Sequence, residues 1–220
     1  MVENPPARKY TPALKYSILT PIYDLSLKLF TRETTWRNKL IQLTDPRPGE
    51  RILDLGCGTG SNSIWIKKKF PECEVVGIDP DAKALELAER KSRKLNLDIH
   101  WIQGFIDEHS RESIGEFSKV VSSLVLHQTS TETKKNILVA AKSLLVHDGR
   151  LCIADYGIQS TLMMKVLYRL IVQTIDGYSD TQPNAEGYLT QCLSEIGFAQ
   201  VTQECEYHTL TGSIALLVAS

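Results

Sequence analysis

From Arg51 onward the chain alternates short apolar runs with segments of helical period. The runs are RILDL (51–55), EVVGID (74–79), DIHWIQ (98–103), FSKVVSS (117–123) and RLCIAD (150–155). Such alternation predicts a parallel sheet with crossover helices. Residues 61–69 follow a glycine turn and read as the first crossover helix. Residues 81–95 place Ala84, Leu87, Ala88, Lys91 and Leu95 on one stripe, with Asp81 as the capping residue. Residues 132–146 align Ile137, Ala140, Ala141, Leu144 and Leu145, and His147-Asp148-Gly149 is the expected stop.

The two ends are patterned differently. Residues 8–44 read as helices, followed by the Pro-rich connection DPRPGE (45–50). Residues 160–178 read as one amphipathic helix and 187–196 as another, stopped by Gly197. FAQVTQEC (198–205) and GSIALLVA (212–219) read as two strands joined by a short loop. A hairpin joins antiparallel neighbours, so the parallel sheet is expected to end in one reversed strand. The division that follows is a helical cap over 1–47 and a main unit over 48–220, with a helical insertion at 157–197.

Composition narrows the function classes. The 220 residues are 42% hydrophobic and 23% charged, which is ordinary for a globular chain. Net charge is −1, so the basic excess that usually grips nucleic acid is absent and no nucleic-acid partner is expected. Five cysteines with no CxxC pair argue against a disulfide framework and a zinc ribbon, and for a reducing, cytoplasmic setting; no metal is expected. The N-terminus lacks the apolar region of a secretory signal. The most apolar stretch, 162–175, is too short and too charged to span a bilayer, although peripheral membrane contact remains compatible with it.

The chemistry-bearing stretch is Asp54-Leu55-Gly56-Cys57-Gly58-Thr59-Gly60-Ser61, between a predicted strand and a predicted helix. Glycines there allow a sharp turn and close backbone approach to a ligand. The helix N-terminus offers free N–H groups to an anionic group. Asp79 closes the second strand, where a carboxylate can accept both hydroxyls of a ribose. Two structural alternatives stay open: the glycine turn serves the fold alone, or Asp79 caps the next helix. A dinucleotide loop of the GxGxxG kind wants its third glycine at position 61, which is Ser61 here.

The DxGxGxG spacing instead resembles motif I of the class I S-adenosylmethionine-dependent methyltransferases. VVGIDPD (75–81) is similar to their second motif, and LVHDGRLCIADY (145–156) to the segment around their fifth strand. The resemblance spans roughly residues 50–157. It implies a Rossmann-like, doubly wound α/β fold with seven strands in the order 3-2-1-4-5-7-6, strand 7 antiparallel. It implies S-adenosylmethionine as cofactor and S-adenosylhomocysteine as product. Asp54, Gly56, Cys57, Gly58 and Gly60 match the loop that lies on the methionine moiety, with Asp54 also expected to order the loop's backbone amides and Cys57 at a variable position. Asp79 matches the ribose-binding acid, and Pro80 the residue bordering the adenine. The family's adenine-binding acid after strand three is replaced by Phe105, leaving Phe105 and Ile106 to pack on the ring, with Asp107 as the other candidate. Ser122-Ser123-Leu124-Val125-Leu126-His127-Gln128 resembles the end of strand four in small-molecule enzymes, where Ser123 falls beside the methionine amino group.

Pro21-Ile22-Tyr23-Asp24 with Trp36-Arg37 resembles the pattern ahead of motif I in ubiquinone/menaquinone-type C-methyltransferases. That implies Tyr23 near the methionine carboxylate and Trp36 near the acceptor. His127 titrates near neutrality and is the candidate base. The apolar insertion suggests a pocket for a small hydrophobic, quinone- or lipid-like acceptor, lined by Met164, Tyr156 and Tyr178. Two other classes remain: an NAD-dependent oxidoreductase, and a non-catalytic cofactor-binding partner subunit.

Overall fold

The computed structural model describes residues 33–220. Tyr23 and most of the expected N-terminal cap lie outside the described residues. The chain runs α1 (Glu33–Thr44), β1 (Arg51–Leu55), α2 (Ser61–Lys69), β2 (Glu74–Asp79), α3 (Ala82–Lys94), β3 (His100–Gln103), α4 (Ser110–Ile114) and β4 (Phe117–Ser123). A 3-10 turn (Leu126–Gln128) leads to α5 (Thr131–Ser143), β5 (Leu145–Tyr156), α6 (Leu162–Asp176), α7 (Tyr178–Ala185), α8 (Tyr188–Glu195), β6 (Val201–Thr209) and β7 (Gly212–Ala219). The strands form one sheet in the order β3-β2-β1-β4-β5-β7-β6. All pairings are parallel except those of β7 with β5 and β6. This is the expected order, and the hairpin is what reverses β7.

The apolar runs look continuous because alternate residues feed two cores. Leu53, Val76, Val120, Leu151, Ile153 and Leu217 pack on one face with Leu138 of α5 and Leu189 and Leu193 of α8. Ile52, Val75, Val121, Cys152, Ala154 and Leu216 pack on the other with Trp36 and Leu40 of α1, Ile64 of α2 and Tyr168 of α6. Thus α1 shares a core with the sheet. Trp36 is fully buried there, away from the cleft described below, which corrects its expected acceptor contact.

Several boundaries differ from expectation for identifiable reasons. Helix α5 ends at Ser143, not at the His147-Asp148-Gly149 signal, because Leu145 already pairs with Phe117 of β4. At Gly149 the chain folds so tightly that a side chain would meet the Val146 carbonyl at 2.8 Å. The expected helix 160–178 is broken by Gly177, whose φ of 91° a helix does not accommodate, and α7 begins beyond it. Strand β6 runs on to Thr209 because β7 pairs with it as far as Gly212. Among the described residues no helix is long and apolar enough to cross a membrane.

Candidate active site

The loop after β1 is built by backbone geometry. Gly56 and Cys57 donate their N–H groups to the Ile78 carbonyl (2.9 and 3.1 Å), tying the loop to the end of β2. Gly56, Gly58 and Gly60 all have positive φ. They do different work. A side chain on Gly56 would strike Val125 at 2.4 Å, and one on Gly60 would strike Trp101 at 2.6 Å. A Cβ on Gly58 would meet nothing within 4 Å among the described residues, so they leave open space there. Gly104, after β3, faces similar space.

Asp54 lies beneath this loop, not in the cleft. Its buried carboxylate accepts hydrogen bonds from the Ser63 N–H (3.0 Å), the Ser63 hydroxyl (2.6 Å) and Asn62 Nδ2 (3.2 Å). Burial pushes its pKa up, and these donors pull the other way. The expected ligand contact of Asp54 is therefore corrected: it fixes the first turn of α2. Gly60 is likewise set against Trp101 and Ala88 and does not line the cleft.

Asp79 does face the cleft. Its Oδ2 accepts from Gly58 N–H and its Oδ1 from Asp81 N–H, each at 2.8 Å. Each carboxylate oxygen has a second lone-pair site, so acceptor capacity remains. Asp79 is not the cap of α3, because that role belongs to Asp81, which accepts from Lys83 and Ala84 N–H. Burial raises the Asp79 pKa, opposed by the two backbone donors.

The cleft measures about 1480 Å³ and opens at the C-terminal ends of the parallel strands. Gly56, Cys57, Gly58, Asp79, Pro80, Phe105, Ile106, Ser123, His127 and Tyr156, all candidates from the sequence, line it. A single small ligand fills roughly 300–1,000 Å³, so there is room for two. Beyond the loop, Ile137, Val139 and Ala140 from α5 and Ile171, Val172 and Ile175 from α6 give the cleft an apolar patch, bordered by Glu132, Thr133 and Asn136 of α5. Two expected acceptor contacts are misplaced. Met164 is buried in the core on the inner side of α6, and Tyr178 is exposed at the start of α7; neither lines the cleft. Helix α6 is apolar on more than one side, and only packing reveals which side meets the cleft.

His127 sits on the 3-10 turn and is anchored from β5. Asp155, itself buried, accepts from His127 Nδ1 (2.8 Å), from Val125 and Leu126 N–H (3.1 and 2.7 Å) and from Tyr156 N–H (2.8 Å). Asp176, the last residue of α6, approaches His127 Nε2 at 3.5 Å and also lines the cleft. The Tyr156 ring meets the imidazole edge to face at 4.9 Å. Burial alone would lower the His127 pKa, but the Asp155 charge and hydrogen bond, joined by Asp176, push it up to about 9. The two carboxylates thus favour the protonated imidazole and disfavour His127 as a base.

The same pairing makes a pH prediction. Because the folded pKa lies above the ordinary 6.5, the stabilisation is fully present below about pH 6.5 and is lost as pH rises through about 9. Thermal melts from pH 6 to 10 are expected to show a falling Tm for the wild type and a shallower fall for His127→Asn. Parallel curves would remove the ion pair from the stability of the fold.

Sequence reading missed Arg37. This buried guanidinium lines the cleft, donates to Asn62 Oδ1, pairs with Glu33 and reaches Ser123 Oγ at 3.4 Å. Its Nε–H has no hydrogen-bond partner among the described residues. Asp155 and Asp176 were missed as well, although an acid closing the fifth strand was a visible signal for Asp155.

Comparison with known proteins fits this geometry. Residues 52–149 match a family described as a methyltransferase domain. A demethylmenaquinone methyltransferase of Thermus thermophilus is 33% identical over 90 residues, 40% of this chain and 41% of that protein. The match thus spans less than half of that relative. A ubiquinone/menaquinone biosynthesis C-methyltransferase of Blochmanniella floridana is 28% identical over 218 residues, 89% of this chain and 83% of that one. Among solved structures, magnesium protoporphyrin IX methyltransferase from Synechocystis, with bound SAH, superposes with a TM-score of 0.65 at 21% identity, over 86% of this chain and 83% of that one. With the glycine loop, the acid-ended second strand and the 3-2-1-4-5-7-6 sheet in one place, residues 52–149 form a methyltransferase domain of the class I, S-adenosylmethionine-dependent kind, and the described residues carry that fold.

Proposed function

We propose that this protein transfers the methyl group of S-adenosylmethionine to a small, hydrophobic, quinone-like acceptor. The observation that carries the reading is a single cleft with two differently built parts. One part holds Gly58 and Gly104 facing open space on either side of the Asp79 carboxylate, with Arg37 in the wall. The other holds the apolar patch of Ile137, Val139, Ala140, Ile171, Val172 and Ile175 from α5 and α6. The residues fit the cofactor: Asp79 retains acceptor capacity for ribose hydroxyls, Gly58 leaves room for the ligand, and Pro80, Phe105 and Ile106 offer apolar surface to an adenine. The buried, incompletely bonded Arg37 suits the methionine carboxylate. Ser123, Gly56 and Cys57 complete that wall, Cys57 through its backbone, since burial pushes its thiol pKa up.

Bound S-adenosylmethionine supplies an electrophilic sulfonium methyl. The chain's task is to hold the acceptor about 3 Å from that methyl, in line with the sulfur and out of water, which can supply roughly 7–11 kcal/mol of the barrier. An acidic O–H or C–H on the acceptor must also lose its proton. Asp176 receives it, and the His127 imidazolium, fixed by Asp155, holds Asp176 in place and balances its charge. The relatives named for demethylmenaquinone make its reduced form the first acceptor to try.

Two measurements test the reading. Calorimetry is expected to detect S-adenosylmethionine and S-adenosylhomocysteine but not NAD, with Asp79→Ala weakening affinity roughly 10–150-fold through loss of a charge-assisted contact of about 1.5–3 kcal/mol. Unchanged affinity in that variant removes the ribose role of Asp79. Incubation with reduced demethylmenaquinone, followed by mass spectrometry, is expected to give a product one methyl heavier. Cofactor binding without turnover on that compound or a wider panel of small aromatic acceptors would favour the non-catalytic partner subunit.

A further inference from the structure

Helix α6 has two apolar sides, and the sheet uses only one. Met164, Tyr168 and Val172 are buried against the core. On the opposite side, Leu162, Met163, Val166 and Leu170 are 79%, 64%, 47% and 67% exposed. At 3.6 residues per turn these four fall within an arc of about 100°. Exposed apolar residues scattered singly are ordinary, but a contiguous stripe on one helix marks a contact surface. Exposed Lys165 and Arg169 lie along one edge of the stripe, and the only acid in α6 is its last residue, Asp176. The apolar surface continues toward the cleft through Ile171 and Ile175, which line it. Exposed Tyr178 follows directly.

We infer that this face of α6 docks on an anionic lipid bilayer. An amphipathic helix with a basic margin lies in the interface plane, its apolar side sunk roughly 5–10 Å into the headgroup–acyl boundary. The chain's net charge of −1 gives no general attraction to an anionic surface, so the local Lys165–Arg169 pair provides it. Tyrosine also favours that boundary. Docked this way, the apolar wall of the cleft adjoins the membrane through Ile171 and Ile175. The inference goes beyond the proposed methyl transfer and needs neither cofactor nor acceptor, so it stands or falls separately.

The test is co-sedimentation of the full chain, without cofactor, with extruded vesicles of phosphatidylglycerol and phosphatidylcholine in equal parts, and of phosphatidylcholine alone. The wild type is expected to bind the mixed vesicles, more weakly at high salt. Leu170→Glu should reduce binding at least tenfold with Tm unchanged, because Leu170 is exposed. Lys165→Ser with Arg169→Ser should reduce binding to the mixed vesicles by roughly fivefold per residue and erase the preference over phosphatidylcholine. Leu210→Glu, at the exposed β6–β7 turn, should bind as wild type. Failure of the wild type to sediment with either vesicle, or equal binding by Leu170→Glu, overturns the inference. So does a lowered Tm in Leu170→Glu without vesicle binding by the wild type, which would assign the face to packing within this chain. A dimer abolished by Leu170→Glu, again without vesicle binding, would assign it to a second copy.

Discussion

Asp176→Asn is expected to lower kcat by ~10²–10⁴-fold on an acceptor that must lose a proton, while leaving S-adenosylhomocysteine affinity unchanged. The amide keeps the shape of the carboxylate and still faces His127 Nε2, but it cannot hold the proton. The partner is positioned independently: four groups, the His127 ring and the Val125, Leu126 and Tyr156 N–H donors, converge on Asp155. The turn should therefore survive the substitution, and thermal melts beside kinetics check that it does. Asp176→Glu should restore part of the rate, because a carboxylate returns with a longer reach. A wild-type kcat in Asp176→Asn would mean that the proton leaves by another route and that positioning alone accounts for the rate.

Gly58→Val is expected to reduce S-adenosylhomocysteine affinity by more than ~100-fold in calorimetry. Two costs combine. A β-branched residue at φ 51° is strained, by about 1–3 kcal/mol. Its side chain also fills space that the fold leaves empty and the ligand needs, and relief of the strain would disturb the Gly58 N–H bond to Asp79. Because a Cβ there strikes nothing among the described residues, the fold should lose little beyond the strain. Gly60 is the contrast: a side chain there collides with Trp101 and Ala88, so the loss at that position belongs to stability. A folded Gly58→Val protein with normal affinity would contradict the loop's role.

Local rules govern the features of this protein that its sequence made legible. The alternation of strand and helix, the reversed last strand and the Asp81 cap depend on periodicity and near-neighbour chemistry, and each is present in the structure. The glycine loop and Asp79 were legible for the same reason: a tight turn and an acid at a strand end need particular residues at particular spacings. Helix ends were less legible where a long-range pairing competes with a local signal, as when Leu145 joins Phe117 before the His147-Asp148-Gly149 stop is reached. Which of the motif's glycines clear space and which merely avoid a neighbour depends on tertiary packing, since Val125 comes from the turn after β4 and Trp101 from β3. That packing likewise decided that Trp36 and Met164 belong to the core, that Arg37 reaches the cleft, and that two carboxylates flank His127. A pKa depends on the charges around a group, and Asp155 and Asp176 lie 28 and 49 positions along the chain from His127, brought to it only when β5 and α6 pack beside the 3-10 turn.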